Sequence, residues 1–572
     1  MKNHTILKKR MICCAMALVL CIGYLPAAAA DSHFSDVPST HWAADSIRQA
    51  TGLGIIKGVG NGKFGLGQAV TRAEFVTMLA RLFGWKTAAP STPSFTDNQN
   101  TSSWYYGAIE AAAANGAVKK NGSAFRPNDK ITREEMALML VRALGYDTLA
   151  QAVSGYGMPF QDVTRNQGYI QIAYDFHIIN GTSGAAFSPY GAATREQAAA
   201  MMMRLYGRYA QKVNWMNAFY AVSSYSQSGA IGAFDAVSLG WSRLEYTESG
   251  GVSLNTTSSG GNSFYLPDGY QSVMKTAQNS NVPASLDVYM STSQTVQKSD
   301  GTASNACREI LLTQKSRTAA VTQIVAQLKS NTLYSGVTID FEGMRGNDLK
   351  AGFTAFLKEL SGQTDKLSKT VYVCVPPATA DGAYYDAYDF RAIGTFSDKV
   401  ILMAHDYEAK SLSSSQRNAG FTTTPLTPIA QVYYALKAVT DPNTGVADTG
   451  KVALALSFGS AQWSLKNGKV LNAFPYTPDP SAIYTRLKDG GTTMNYSKLY
   501  ENPYLTFYDS VSGSNNVVWY EDARSVSAKI QLARMFGVTG VSVWRLGLIP
   551  DYESGSREIY YHVLETLKDL HQ

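Results

Sequence analysis

Cysteine is scarce: five in 572 residues, three of them (Cys13, Cys14 and Cys21) near the start. The other two, Cys307 and Cys374, do not make a disulfide framework. The seven histidines are scattered, with no pair at metal-ligand spacing, so no metal is expected. No cofactor is expected either. No basic run argues for a nucleic-acid partner. After the first thirty residues no apolar run is long enough to span a bilayer.

What those first thirty residues do contain is a targeting pattern. Lys2, Lys8, Lys9 and Arg10 precede a mostly apolar run from Met11 to Tyr24, and Ala28-Ala29-Ala30 offers a cleavage site before Asp31. This reads as a secretory signal over 1–30. The alternative is an uncleaved anchor, for which the run is short. Cleavage removes four cations and no acids, so the formal charge falls from +6 to +2. The length that remains is too great for one ordinary domain.

The next part repeats. "FSDVPSTHWA" recurs as "FTDNQNTSSWYY" and "FQDVTRNQGYI", and each is followed by a Gly/Asn turn and a T-R-x-[EQ] helix start. Arg72, Arg133 and Arg195 are 61 and 62 residues apart, and Asp36, Asp97 and Asp162 are 61 and 65 apart. Phe75, Met78, Leu79 and Leu82 fall on one helical face. Thr71 with Glu74, Thr132 with Glu135 and Thr194 with Gln197 fit capping boxes. Arginine in a first helical turn opposes the macrodipole, yet beside free N–H groups it can hold an anion. A surface pair with a nearby carboxylate is the other reading.

On these motifs residues 31–208 resemble three S-layer homology repeats, at 31–90, 91–153 and 154–208. The resemblance implies a three-part helical bundle that binds a pyruvylated secondary cell-wall polymer. It implies that Arg72, Arg133 and Arg195 contact the anion. It makes Asp36, Asp97 and Asp162 the repeat-start acids, and Trp42 and Trp104 the aromatics, with Tyr169 in the third unit. The third repeat departs most, with Ala193 for Val70 and Ile131, and Gln197 for glutamate.

After residue 212 the pattern changes. Short β-rich apolar runs are expected at 217–224, 234–241, 284–290, 336–342, 370–375, 399–405, 451–458 and 540–545. Helical spacing lies between them, as in Phe353, Phe356, Leu357 and Leu360. Eight strand–helix repeats predict a (β/α)8 TIM barrel over 213–572. The stretch 463–520 is too long for a crossover and reads as an insertion between strands seven and eight.

The fourth strand, "YSGVTIDFEG", carries Asp340 and Glu342 in an apolar run. Alternation sends both carboxylates to the barrel axis and Ile339 and Phe341 to the helices. Both acids lie at the carboxyl end, where barrel active sites form. Two close carboxylates resist ionising together, which supplies a general acid at neutral pH. An ion pair with Arg345 is the structural alternative.

This strand resembles the family 18 glycoside hydrolase signature D-x-x-D-x-D-x-E, read here as Ser335, Thr338, Asp340, Glu342. "LMAHDYE" is similar to the family's M-x-Y-D, with Met403 and Asp406 matching and His405 in the tyrosine position. "GVSVWRLG" is similar to its eighth strand, with Trp544 as the floor under a sugar ring. The resemblance implies Glu342 as acid and Asp340 as its partner. Asp406, His405, Tyr407, Met403 and Trp544 would bind substrate.

The implied activity is cleavage of β-1,4-linked N-acetylglucosamine bonds in peptidoglycan or chitin by a secreted enzyme. It would sit at the wall or S-layer of a Gram-positive-type bacterium. The alternatives are a weak or inactive barrel that only binds amino sugars, and a structural S-layer subunit.

Overall fold

The structure, a computed structural model, describes residues 34–87, 90–120, 124–153, 157–380, 385–555 and 557–571. The signal reading over 1–30 therefore lies outside the described residues. The chain divides into two compact units: residues up to 150 with 157–207, and 151–156 with 208–572.

In the first unit each repeat contributes two main helices. They are Ala44–Gly52 with Arg72–Leu82, Tyr106–Ala114 with Arg133–Ala143, and Gln167–Asp175 with Arg195–Tyr209. Thr71 and Thr132 form complete capping boxes with Glu74 and Glu135. In the third, Gln197 Oε1 accepts from the Thr194 N–H, but the Thr194 hydroxyl is buried without a partner among the described residues. That box is half formed, because the bond from the hydroxyl to the helix backbone is missing.

The residue before each capping threonine closes the bundle. The Val70 N–H donates to Ala193 O, Ile131 N–H to Val70 O, and Ala193 N–H to Ile131 O, at 2.9, 2.9 and 3.2 Å. All three side chains are fully buried. The ring satisfies backbone groups that a buried, strandless segment would otherwise leave unpaired.

The second unit contains the barrel. Its strands are β1 (Trp215–Tyr220), β2 (Ala236–Thr247), β3 (Ala284–Ser291), β4 (Tyr334–Glu342), β5 (Thr370–Val375), β6 (Lys399–Leu402), β7 (Val452–Ser457) and β8 (Gly540–Trp544). Each pairs in parallel with the next, and β8 pairs with β1, so the sheet closes. Helices such as Gln314–Ser330, Asn347–Thr364 and Ala523–Met535 lie between strands. This is the closed eight-stranded (β/α)8 arrangement that the alternating pattern predicts.

Two expected strands run too long. The first stops at Tyr220 because Val222–Ala233 is 3-10 helix, and the sixth stops at Leu402. Met403 to Tyr407 leave the ladder, and Asp406 adopts a left-handed φ of 60°. Strand parity therefore does not govern His405 and Tyr407.

The insertion between β7 and β8 is a five-stranded antiparallel sheet, with strands from Ala461–Lys466 to Ser514–Trp519, and a helix at Pro480–Lys488. Its core includes Ile483, Leu487, Leu505, Phe507 and Val518. Lys529 on the following barrel helix is fully buried against Glu521, 2.7 Å away, and Ser525 and Asn502 also donate to that glutamate. A buried ion pair is tolerated when its remaining hydrogen bonds are met.

Candidate active site

The barrel interior is divided chemically. On one side Phe219, Tyr372, Cys374, Ile401 and Ala455 pack together, with Trp215, Met403 and Trp544 against them. On the other, Ser238 of β2, Ser285 of β3 and Thr338 of β4 join hydroxyls at 2.7 to 3.2 Å. Ser238 and Thr338 sit on strands that are not neighbours, so both side chains point inward.

Above Thr338 on the same strand face come Asp340 and Glu342. Ile339 and Phe341 are fully buried on the other face, with Phe341 against Phe353 and Phe356 at 5.6 and 5.2 Å between ring centres. β4 must turn sharply after Glu342. Gly343 takes φ 75°, and a Cβ there would lie 2.4 Å from the Thr292 hydroxyl, so only glycine fits.

Asp340 is 4% exposed. Burial, then the charge of Glu342, raises its pKa well above the carboxylate range, while a hydrogen bond with the Cys374 thiol acts in the opposite direction. Glu342 is half-buried. Burial raises its pKa too; His405 and the Tyr289 hydroxyl pull it down, and Asp406 pushes it up. The Tyr289 hydroxyl lies 3.5 Å from Glu342 Oε2. Arg345, the alternative ion-pair partner, lies over the Tyr385 ring at 5.2 Å.

Asp406 behaves in the opposite way. Burial opposes its charge, but His405 beside it, with Ser457 and Lys410, outweighs that and holds it at about 2. His405 Nδ1 is 3.1 Å from Asp406 Oδ2. One carboxyl is thus poised to give a proton and another to stay ionised. The Tyr407 hydroxyl is buried with no partner among the described residues, and the Tyr407 N–H donates to Leu426 O. Trp544 ends β8, packs on Phe219 at 5.4 Å and precedes a cis peptide to Arg545. Met403 joins the same apolar group.

Sequence reasoning placed no functional residue on β3. The structure puts Asp287 there, fully buried beside Asp340 and Glu342, and Tyr289 two residues on. Cys374, the thiol that meets Asp340, was likewise assigned no role. Cys307 and Cys374 are separate buried thiols. The available signal was a lone acid in the apolar run "ASLDVYM" at the inward parity.

In the repeats, the arginines do more than face solvent. Arg72 Nε donates to Phe125 O, and its guanidinium pairs with Glu135 of the next repeat. Arg195 repeats this with Phe64 O and Glu74, 2.6 Å away, and is 4% exposed. Arg133 donates to Phe187 O and Asn180 O. Each stacks on a phenylalanine, Phe125, Phe64 or Phe187, at 4.6 to 5.1 Å. The position equivalent to Glu135 and Glu74 is Gln197 for Arg133, which forms no ion pair among the described residues.

The repeat-start acids cap turns within their own repeats. Asp36 accepts from the N–H groups of Phe64, Gly65 and Leu66, Asp97 from Phe125 and Arg126, and Asp162 from Phe187 and Ser188. Trp42 and Trp104 are 61% and 64% exposed. Tyr169 is instead buried, donating to Asp147 at 2.6 Å under Arg142.

Residues 298–548 match the glycosyl hydrolases family 18 description, and 33–76, 94–137 and 159–199 match the S-layer homology domain. The S-layer protein sap of Bacillus anthracis is 34% identical over 212 residues, 36% of this chain and 25% of that protein. A putative sporulation-specific glycosylase, YdhD of Bacillus subtilis, is 26% identical over 253 residues, 44% of this chain and 56% of that one. The chain therefore spans about a quarter of the S-layer protein and about half of the glycosylase. A chitinase crystal structure from Chromobacterium violaceum aligns at 18% identity and TM-score 0.48, covering 62% of this chain and 98% of that one. The chain carries three S-layer homology repeats followed by a glycosyl hydrolases family 18 domain.

Proposed function

We propose that the barrel is a glycosidase that cleaves β-1,4-linked N-acetylglucosamine bonds, in peptidoglycan first and chitin second. The observation that carries this is Glu342: a half-buried carboxyl at the end of a barrel strand, its pKa raised by burial, with a second carboxyl two residues before it. In this reading Glu342 protonates the glycosidic oxygen. The substrate's acetamido oxygen attacks the anomeric carbon, and Asp340 steadies the positive charge that develops. Asp406, His405 and the unpartnered Tyr407 hydroxyl bind around the acetamido group. Met403 and Trp544 support the sugar ring.

The repeats hold the enzyme at the cell surface by binding an anionic, pyruvylated wall polymer. Arg72, Arg133 and Arg195 are its candidate contacts, with Asp36, Asp97 and Asp162 shaping the turns and Trp42 and Trp104 exposed in the first two repeats.

Turnover of purified peptidoglycan and of chitin oligosaccharides tests the barrel. Glu342→Gln should lower kcat by about 10²–10⁴-fold and leave binding largely intact, because glutamine keeps the shape. The first product, read by proton NMR, should keep the β configuration. An α-configured product excludes the substrate-assisted route, and binding without turnover leaves a sugar-binding barrel.

A further inference from the structure

Asp287 of β3 has no explanation in the scheme above. It is fully buried, and neither carboxyl oxygen has a hydrogen-bond donor among the described residues. It faces the barrel interior with Ser285, two residues before it, whose hydroxyl reaches Thr338. In the parallel ladder Asp287 is opposite Thr338 and Tyr289 is opposite Asp340, so Asp287 sits one step diagonally below Asp340.

The groups around it are known on each side. β4 presents Asp340 and Glu342, both acidic, and the Thr338 hydroxyl is engaged with Ser238 and Ser285. β2 presents Gly240, where even a Cβ would be 3.7 Å from Asp287 Oδ2. β5 presents the Cys374 thiol, which pairs with Asp340. β3 itself adds Tyr289, directed at Glu342. No cation is among them.

A buried carboxyl with no donor and no cation does not stay ionised. Burial, reinforced by Asp340 and Glu342, pushes Asp287 well above the carboxylate range. A protonated carboxyl in turn needs an acceptor, and Asp340 Oδ1 is the buried oxygen nearby that lacks a partner. Of the two acids, Asp340 has a thiol donor to favour its charge and Asp287 has none. We infer that Asp287 is a positioning carboxyl that keeps its proton and donates it in a hydrogen bond to Asp340, holding Asp340 as the ionised partner of Glu342. The consequence for turnover rests on the glycosidase reading; the location of the proton does not.

Infrared difference spectra of the full chain test the proton directly. At pH 7 a protonated-carboxyl band should be present in the wild type and lost in Asp287→Asn, whether or not any sugar is cleaved. On a soluble β-1,4-linked N-acetylglucosamine tetramer, Asp287→Ala should lower kcat by roughly 10–10²-fold with KM nearly unchanged, less than removal of the acid itself. Its acid limb should move to higher pH, because Asp340 has lost a donor to its charged form. Asp287→Asn, whose amide still donates, should restore that limb. A spectrum that loses no band in Asp287→Asn overturns the inference. So does an Asp287→Ala enzyme that is active with an unmoved limb. If the wild type cleaves no glycan, the glycosidase reading fails and the infrared band alone decides Asp287.

Discussion

As the proposed general acid, Glu342 needs enough burial to keep a proton and enough exposure to reach a substrate. Its half-buried place at the strand end suits both needs; burial raises its pKa, and His405 and then Tyr289 lower it. The Tyr289 hydroxyl favours the charged glutamate, so removing it raises the Glu342 pKa further. A general acid works only below its pKa. Tyr289→Phe should therefore move the basic limb of kcat/KM to higher pH, while the ring stays stacked on Phe264 at 4.1 Å. An unmoved limb in a pH–rate series removes Tyr289 from that role. The Asp340–Glu342 pair was legible because two acids at i and i+2 in an apolar strand share one face, with an ion pair to Arg345 as the competing reading. Asp287 was not, because a single acid in a run such as "ASLDVYM" is also what a strand-end cap looks like. Its meaning comes from the register that sets it beside β4, and register is a long-range property.

The elements were legible to different degrees. All eight barrel strands stand where apolar β-rich runs lie, and the insertion sheet stands where the crossover was too long. The end of β6 was not legible: "KVILMAH" continues the apolar pattern while the backbone leaves the ladder after Leu402. In the repeats, spacing revealed the three arginines and the capping threonines, but not that each arginine reaches into the next repeat. That reach depends on the closed ring of Val70, Ile131 and Ala193. The three arginines also differ in their ion pairing. Arg72 and Arg195 pair with glutamates of another repeat, whereas the equivalent position for Arg133 is Gln197, so Arg133 is the arginine proposed to meet a ligand. Arg195→Ala should strip donors from Phe64 O and Glu74 and destabilise the unit by about 3 kcal/mol. That corresponds to a Tm roughly 6–12 °C lower. Arg133→Ala should lower Tm less and weaken sedimentation with purified wall sacculi more. Thermal unfolding and sedimentation on both variants decide it: equal wall binding by Arg133→Ala and wild type excludes the anion site.

At the scale of the whole molecule, the two proposed roles fall on two compact units. The barrel closes on itself through the β8–β1 pairing, and the insertion sheet packs within its own unit. Every residue proposed for catalysis lies in the barrel unit. A fragment of residues 208–572 should therefore fold alone and match the kcat/KM of the full chain on a soluble oligosaccharide. On intact sacculi the two should differ. Binding through the repeats confines the barrel near its substrate and turns a bimolecular encounter into a local one, an effect that can reach 10²–10⁴-fold in apparent avidity without any new contact. The fragment should then need a much higher concentration than the full chain to release sugar from sacculi at the same rate. The advantage should vanish on sacculi stripped of the anionic polymer. A full chain that keeps its advantage on stripped sacculi is held by the glycan itself, and the polymer is then not the anchor. A fragment that is folded but inert on soluble sugar places part of the active site in the repeats, contrary to every contact within the barrel described above.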